Sequence, residues 1–125
     1  MILDTNAVSA LSFEDAALAK VLEAGMRHHL PAIVIGEYEC GLAGSTRNKE
    51  LNAWFALLVS ESIVLAVDRE TAAHYGTICA ALKRNGTPIP SNDLWIAALA
   101  VQHGLPIVSQ DRHFDRVPGI RRLFW

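Results

Sequence analysis

The stretch SNDLWIAALAVQHGLPIVSQD, Ser91–Asp111, contains a helix, a strand and two of the acidic residues on which the functional interpretation depends. Ser91 is expected to cap a helix that ends at Gly104, and LPIVS then predicts a buried strand. Asp93 falls in the first turn of that helix, and Asp111 comes just after the strand. A helix that leads into a short apolar strand is typical of a parallel α/β sheet. This stretch therefore predicts an α/β fold with acidic residues near the ends of its elements.

The same alternation of short apolar runs and helical periodicity continues to both ends of the chain. Further strands are predicted at Met1–Leu3, at PAIVI (31–35) and at SIVLAV (62–67), with a last strand within Arg121–Trp125. We therefore expect a mainly parallel central sheet of four to five strands between two layers of helices, which is a three-layer α/β/α sandwich.

Four more helices are predicted from apolar residues at helical spacing. The first follows a capping box of Ser12 and Asp15, and the second runs from Gly36 to Gly44 and opens with Glu37. The third follows a break at GSTRN (44–48), and the fourth ends at Asn85 and Gly86. The apolar stripes of the first, third and fourth are Leu18, Val21, Leu22 and Met26; Leu51, Trp54, Phe55 and Leu58; and Ala72, Tyr75, Cys79 and Leu82.

Size and composition limit the protein class. A chain of 125 residues can build one hydrophobic core, so a single domain over residues 1–125 is predicted. A content of 51% hydrophobic and 19% charged residues is typical of a soluble globular protein. No apolar run approaches the roughly 18 residues of a membrane span, and no signal-like segment opens the sequence. A cytoplasmic protein without a membrane partner is expected.

The cysteines and histidines give little support for a zinc site or a disulfide. Cys40 and Cys79 lack a nearby second cysteine, so both are predicted to be ordinary buried thiols. The five histidines lack the spacing of zinc-binding motifs. His28 and His29 are interpreted as a solvated helix end.

The charge distribution leaves room for a local nucleic-acid surface. A net charge of −2 argues against a generally basic coat. Four of the eight arginines nevertheless fall in the last fourteen residues, namely Arg112, Arg116, Arg121 and Arg122. The positive charge is therefore concentrated at the C-terminal end.

Four acidic residues are predicted to meet at one edge of the sheet. Asp4 ends the first strand and Glu37 opens the helix after the second, while Asp93 and Asp111 are placed as described above. In open α/β sheets, ligands bind at the carboxyl ends of the strands. Each close pair of carboxylates is unfavourable by about 1–4 kcal/mol, so a hard divalent cation such as Mg²⁺ or Mn²⁺ is expected to join them.

Each of these acids also has a structural alternative. Glu37 and Asp93 would stabilise a helix from its first turn, and Asp4 and Asp111 would initiate turns. The coincidence of four acids at one edge favours a site. Small hydroxyl and amide residues beside them strengthen that interpretation, namely Thr5, Asn6, Ser91, Asn92 and Ser109.

Four segments resemble those of the PIN-domain ribonucleases, and among these the VapC toxins of bacterial toxin–antitoxin pairs. They are LDTN (3–6), GEYECG (36–41), PSNDLWIAALA (90–100) and GLPIVSQDRHFDRVPG (104–119). The resemblance runs from Asp4 to about Gly119. It implies a PIN-like fold and a Mg²⁺- or Mn²⁺-dependent endoribonuclease that forms a homodimer and is inhibited by a cognate antitoxin lying in the active-site groove. Many such proteins cut transfer RNA or another structured RNA.

The resemblance also implies which residues form the site. The metal-binding and catalytic acids of the family match four positions of this chain, Asp4, Glu37, Asp93 and Asp111. Two further positions, Asn6 and Ser109, match residues that shape the site. Ser109 stands where threonine is usual, and the substitution keeps the hydroxyl group.

The expected chemistry is metal-assisted hydrolysis of phosphodiester bonds in RNA. One Mg²⁺ is expected at Asp4 and Asp93, and a second near Glu37 and Asp111 remains an alternative. One divalent cation would bring the formal charge from −2 to 0, which helps to admit RNA. Which group acts as the base stays open.

Residues 112–116 have mixed interpretations. Arg112 and Arg116 either bind phosphates of the RNA or form a solvated surface pair. His113 is not assigned as a general acid, because no second histidine pairs with it, and Phe114 is interpreted as a packing residue. Asp115 is expected to pair with an arginine or to face water.

Two alternative functions remain. A phosphoaspartyl enzyme needs either a second acid at position 6, where Asn6 stands, or a late lysine, where Asp111 stands. A PIN-like module that binds RNA or a partner without cutting would typically have lost an acid, and all four are present. The stripe of Trp54, Phe55 and Leu58 is interpreted as core, with a dimer or antitoxin surface as the alternative.

Overall fold

A five-stranded, all-parallel sheet lies at the centre of the computed structural model, which describes residues 1–22, 26–44 and 48–125. The strands are β1 (Ile2–Leu3), β2 (His29–Pro31), β3 (Ile63–Leu65), β4 (Ile107–Val108) and β5 (Arg122–Leu123). Their order in the sheet is β3-β2-β1-β4-β5. The prediction of a mainly parallel sheet of four to five strands is confirmed.

Six α-helices and one short 3₁₀ helix connect these strands within the described ranges. They are α1 (Thr5–Ser12), α2 (Ala16–Val21), α3 (Ala32–Ala43), α4 (Asn48–Glu61), α5 (Arg69–Arg84), α6 (Ser91–His103) and the 3₁₀ helix Arg112–Arg116. The chain moves from β1 to β3 in one direction and crosses back to β4. Because parallel crossovers are right-handed, the two directions place helices on opposite faces, as in the predicted α/β/α sandwich. None of these helices is long and apolar enough to span a membrane.

The strand order reverses next to β1, and this reversal positions the site. β1 pairs with β2 on one side and with β4 on the other, with Leu3 opposite Val108. The residues that follow β1 and β4 therefore leave the sheet side by side. A crevice at such a switch point is where ligands bind in open α/β sheets.

The core lies around β1, β4 and α6. Both residues of β1 and both residues of β4 are fully buried, and so is nearly all of α6 from Leu94 to Ala100. A helix that is apolar on all sides belongs in the interior. From the stripe on α4, Phe55 is buried and Trp54 packs partly against the core, so the interpretation of that stripe as core is confirmed for these residues.

The predicted strand PAIVI is wrong. Only Pro31 belongs to β2, and Ala32 already begins α3, so Glu37 lies in the middle of that helix instead of opening it. The buried residues of α3 are four apart, at Val34, Tyr38 and Leu42. A short apolar run with β-branched residues fits a strand as well as a buried helix, and here tertiary packing selects the helix.

The predicted start of the first helical segment is also wrong. Ser12 ends α1, a helix that the sequence interpretation did not include, and Asp15 caps α2 by accepting hydrogen bonds from the amides of Ala17 and Leu18. α2 ends at Val21, so Met26 is outside it. Of the predicted break GSTRN, residues 45–47 lie outside the described residues.

Three smaller expectations need correction. Ser91 opens α6 but makes no side-chain cap, whereas the predicted end at Gly104 is confirmed by its left-handed backbone, with φ 63°. His29 lies in β2, so His28 and His29 do not form a helix end. Cys40 is exposed and Cys79 half-buried, so neither is a fully buried thiol.

Candidate active site

The four predicted acids line one open cleft at the carboxyl edge of the sheet. Asp4 follows β1, Asp111 follows β4, Asp93 lies in the first turn of α6 and Glu37 lies in α3. The cleft wall is completed by Thr5, Asn6, Ser9 and Ile96. The strand order thus brings together side chains that are far apart in the sequence.

Asp4 is the most tightly held of these acids. It caps α1, because its Oδ1 accepts a hydrogen bond of 2.9 Å from the amide of Ala7. Its Oδ2 accepts a hydrogen bond of 2.7 Å from Asn6 Nδ2 and another from the hydroxyl of Ser109. Only 4% of Asp4 is exposed, so its orientation is fixed by protein groups instead of water.

The turn after β4 is tied to Asp4 through Ser109 and Asn6, the two residues predicted to shape the site. Ser109 is fully buried, and its Oγ accepts a hydrogen bond of 2.8 Å from the amide of Asp111. Asn6 accepts a hydrogen bond of 3.0 Å from the amide of Gln110. Asn6 and Ser109 therefore set the position of Asp111 relative to Asp4.

Glu37 is held by two neighbours that come from different helices. Thr5 Oγ1 donates a hydrogen bond of 2.5 Å to its Oε2, and Asn92 Nδ2 donates one of 2.7 Å to its Oε1. Thr5 and Asn92 attract notice in the sequence only as neighbours of Asp4 and Asp93. Their contact with Glu37 joins α1 and α6 to α3, and no local sequence pattern reports it.

His113 lies between Asp93 and Asp111, a placement that the sequence did not predict. Its Nδ1 is 3.2 Å from Asp93 Oδ2 and 3.1 Å from Asp111 Oδ2. Its backbone amide also donates a hydrogen bond of 2.8 Å to Asp111 Oδ1, which caps the 3₁₀ helix. The spacing of Asp111 and His113 is the only signal in the sequence, because the contact with Asp93 depends on the fold.

The electrostatics of the cleft disfavour the ionised forms of Asp4 and Asp93. The pKa of Asp4 is raised from 3.8 to about 6, mainly by burial; hydrogen bonds from Ser109 and Ala7 oppose this change, and the charges of Asp93 and Asp111 add to it. Burial, followed by the charge of Asp111, also raises the pKa of Asp93. A set of crowded oxygen donors with raised pKa values fits a hard divalent cation, whose charge would favour the ionised carboxylates.

The raised pKa of Asp4 predicts how stability depends on pH without metal. A buried carboxyl group whose pKa is about 6 in the folded state and 3.8 in the unfolded state disfavours folding above pH 6. As pH falls from about 6 to 3.8, this unfavourable contribution of about 3 kcal/mol should disappear. As pH falls, the free energy of unfolding of the wild type, measured by urea denaturation in chelator, should therefore rise relative to that of Asp4→Asn.

The comparison with Asp4→Asn is needed because other groups titrate nearby. Burial lowers the pKa of His28 and of His29, so their contributions fall as pH drops below 6.5, opposite in sign to that of Asp4. They are common to both proteins and cancel in the difference. A difference that stays constant between pH 7.5 and 4 would contradict the prediction.

Arg112 and Arg116, for which phosphate binding and a solvated surface pair were the two alternatives, face different surroundings. Arg116 Nη1 is 3.4 Å from the carbonyl oxygen of Pro88. Arg112 lines a second cleft, whose lining residues differ from those of the cleft that holds the four acids. The other residues lining this cleft are Gln110, Asp115, Arg122, Phe124 and Trp125.

Asp115 pairs with an arginine, as one of its two interpretations expected. Arg122 Nε and Nη2 donate hydrogen bonds of 2.7 and 2.8 Å to its two carboxylate oxygens, and this pairing lowers the pKa of Asp115. Arg122 Nη1 also donates a hydrogen bond of 3.0 Å to the carbonyl oxygen of Ser109. Arg122 thus stabilises the turn that carries Asp111 through hydrogen bonds at both of its ends. Nothing in the local sequence indicated this role.

Family comparison agrees with this arrangement. The sequence pattern of the PIN domain matches residues 1–120. This chain belongs to the PIN-domain family. VapC ribonuclease Y4jK of Sinorhizobium fredii is 31% identical, over 89% of this chain and 86% of that protein. The tRNA(fMet)-specific endonuclease VapC of Salmonella typhimurium is 43% identical, but the match spans only 54% of this chain and 52% of that protein.

Solved PIN-domain structures extend the likeness to nearly the full chain. The DNA-bound VapBC complex of Salmonella typhimurium has a chain that matches with a TM-score of 0.88 at 31% identity, covering 99% of this chain and 96% of that one. VapBC-1 of nontypeable Haemophilus influenzae matches with a TM-score of 0.82 at 27% identity, covering 99% of this chain and 96% of that one. The resemblance to PIN-domain VapC proteins and the predicted PIN-like fold are confirmed.

Proposed function

We propose that residues 1–125 form a single nuclease domain that acts as a metal-dependent endoribonuclease toxin. The observation that carries this proposal is the meeting of Asp4, Glu37, Asp93 and Asp111 in one cleft at the switch point of a PIN fold. Relatives named as VapC ribonucleases over most of the chain support an RNA substrate. The presence of all four acids in this chain favours a nuclease over a PIN-like module that only binds RNA or a partner.

The residues of the cleft fit a divalent cation, Mg²⁺ or Mn²⁺. Asp4 and Asp93 would hold it, with Glu37 and Asp111 completing the site or holding a second ion. When bound, such a cation supplies a Lewis acid for the phosphoryl oxygens and makes a bound water more acidic at neutral pH. The protein contributes carboxylates that are already in place.

The hydrogen bonds in the cleft define what each acid contributes. Asp4 is oriented by Asn6 and Ser109, so its carboxylate stays in one position while substrate binds. The two carboxylate oxygens of Glu37 accept hydrogen bonds from Thr5 and Asn92, which fix the orientation of this acid in the cleft. Groups held in advance of the reaction lower its barrier, because they need not reorganise.

We further propose that the RNA strand passes over the turn formed by residues 109–112. Arg112 is exposed and lines the second cleft next to this turn, where a positive charge can bind the phosphate next to the one that is cut. Phe124 in the same cleft is largely exposed, with the guanidinium of Arg122 5.3 Å from its ring centre, and offers a surface for a base.

Solved VapBC structures contain chains similar to this one. As the resemblance to VapC toxins implies, we propose a cognate antitoxin that covers the acidic cleft. A homodimer is proposed as well. Because one relative is named for cleavage of tRNA(fMet), initiator transfer RNA is the first substrate to test.

Incubation of the purified protein with initiator transfer RNA and with total RNA tests the proposed function. We expect cleavage with Mg²⁺ or Mn²⁺ and none when a chelator is present. Cleavage that persists in chelator would overturn the metal mechanism. RNA that binds but stays intact under every metal condition would favour the non-catalytic alternative.

A further inference from the structure

We propose that His113 is a ligand of the divalent cation, through its Nδ1, and that this nitrogen makes the site bind Mn²⁺ in preference to Mg²⁺. The inference rests on the metal site of the proposed function and deepens it, because it concerns which cation the site selects.

The first argument is the spacing of the donor atoms. His113 Nδ1 is 3.2 Å from Asp93 Oδ2 and 3.1 Å from Asp111 Oδ2, and ligand atoms of the three residues all lie within 4.8 Å of one another. In octahedral geometry with bonds of about 2.1 Å, neighbouring donors are about 3 Å apart. The two separations from His113 Nδ1 therefore already match those of adjacent ligands of one ion.

The second argument is that the chain holds the imidazole in this place from two sides. Asp111 caps the 3₁₀ helix by accepting a hydrogen bond from the His113 amide, which fixes the position of one residue relative to the other. The next residue, Phe114, is buried in the core and anchors that helix. The His113 side chain is still 35% exposed, which leaves a path for a hydrated cation to enter.

The third argument is the chemistry of the donors. Mg²⁺ binds oxygen ligands almost exclusively, whereas imidazole is a common ligand of transition-metal ions. A site in which an imidazole joins the carboxylates therefore gains more from Mn²⁺ than from Mg²⁺. In the absence of metal the same three side chains are held by hydrogen bonds of the ring nitrogen to the carboxylates. That interaction alone would give no preference between the two ions.

Pulsed electron paramagnetic resonance of the Mn²⁺-loaded protein tests the inference directly. The protein should carry no polyhistidine tag, so that bound nitrogen reports only its own histidines. We expect ¹⁴N modulation of the Mn²⁺ echo in the wild type and its loss in His113→Gln. Calorimetric titration of the same proteins should show Mn²⁺ affinity about tenfold or more weaker in His113→Gln, with Mg²⁺ affinity changed less than about threefold.

The control is His103→Gln, which changes an exposed histidine at the end of α6 and should leave both measurements as in the wild type. Mn²⁺ bound to the wild type without ¹⁴N modulation would overturn the inference while leaving the proposed nuclease intact. A wild type that binds neither ion in the calorimeter would instead remove the metal site and the proposed function with it. Modulation that persists in His113→Gln, or a wild type that binds Mn²⁺ no more tightly than Mg²⁺, would also overturn the inference.

Discussion

Replacement of Asp93 by asparagine is expected to lower the rate of Mg²⁺-dependent RNA cleavage at least about 100-fold. The side chain keeps its shape but loses the negative charge that would bind the cation. Asp93 lines the cleft with Asp4 and lies 3.2 Å from His113, so its loss changes the centre of the proposed site. Initial rates with initiator transfer RNA, measured at saturating Mg²⁺, check this expectation.

The same variant separates a metal ligand from a residue that only stabilises a helix. Burial and the nearby charge of Asp111 raise the pKa of Asp93, so in chelator the neutral asparagine should melt no lower than the wild type. Mg²⁺ at 100 times its dissociation constant should stabilise the wild type by about 2.7 kcal/mol and the variant far less. Thermal melts with and without Mg²⁺ measure both effects.

Glu70→Gln is the matched control for this experiment. Glu70 lies in the first turn of α5, as Asp93 lies in the first turn of α6, but it is exposed and outside the cleft. Its replacement should leave cleavage and the Mg²⁺ effect unchanged. If Asp93→Asn behaved like Glu70→Gln, Asp93 would be no more than a favourable charge at a helix end.

Replacement of Phe114 by alanine is expected to reduce the free energy of unfolding by about 3–5 kcal/mol. Phe114 is only 1% exposed and is among the largest fully buried side chains. Its side chain packs into the core and anchors the 3₁₀ helix there, next to Asp111 and His113. Its removal leaves a cavity beneath the site, which urea denaturation in chelator will detect as a lower midpoint.

Phe13→Ala provides the comparison for this loss. Phe13 is 84% exposed at the end of α1, so its truncation should change stability by no more than about 0.5 kcal/mol. Equal midpoints for Phe114→Ala and the wild type would show that the core does not depend on Phe114. The Phe114 variant should also have weaker Mg²⁺ affinity, because the turn bearing Asp111 loses its support.

Several features of the fold could be predicted because they depend on local signals. Ile107 and Val108 form a strand inside the predicted LPIVS, and α6 ends at Gly104, where the sequence places its stop. The run PAIVI could not be resolved in the same way. Its apolar residues suit either element, and the choice of helix depends on burial of Val34 against the rest of the core.

The positions of the acids were predictable for a related reason. Parallel strands bring their carboxyl ends to one edge, so acids that follow Leu3 and Val108 are expected to be neighbours as soon as the sheet is inferred. The sequence motifs and the family resemblance then name Glu37 and Asp93 as further members. What local patterns could not supply is the set of hydrogen bonds that holds each acid.

The amino-acid sequence by itself determined the parallel α/β class, the resemblance to PIN-domain ribonucleases and the four acids that would bind metal. Only the tertiary structure decided that His113 lies between Asp93 and Asp111, that Thr5 and Asn92 hold Glu37, and that Arg112 and Arg116 face different surroundings. The physical reason is that most of these contacts join residues far apart in the chain. They arise from the strand order β3-β2-β1-β4-β5 and the packing of helices on it, which no local pattern encodes.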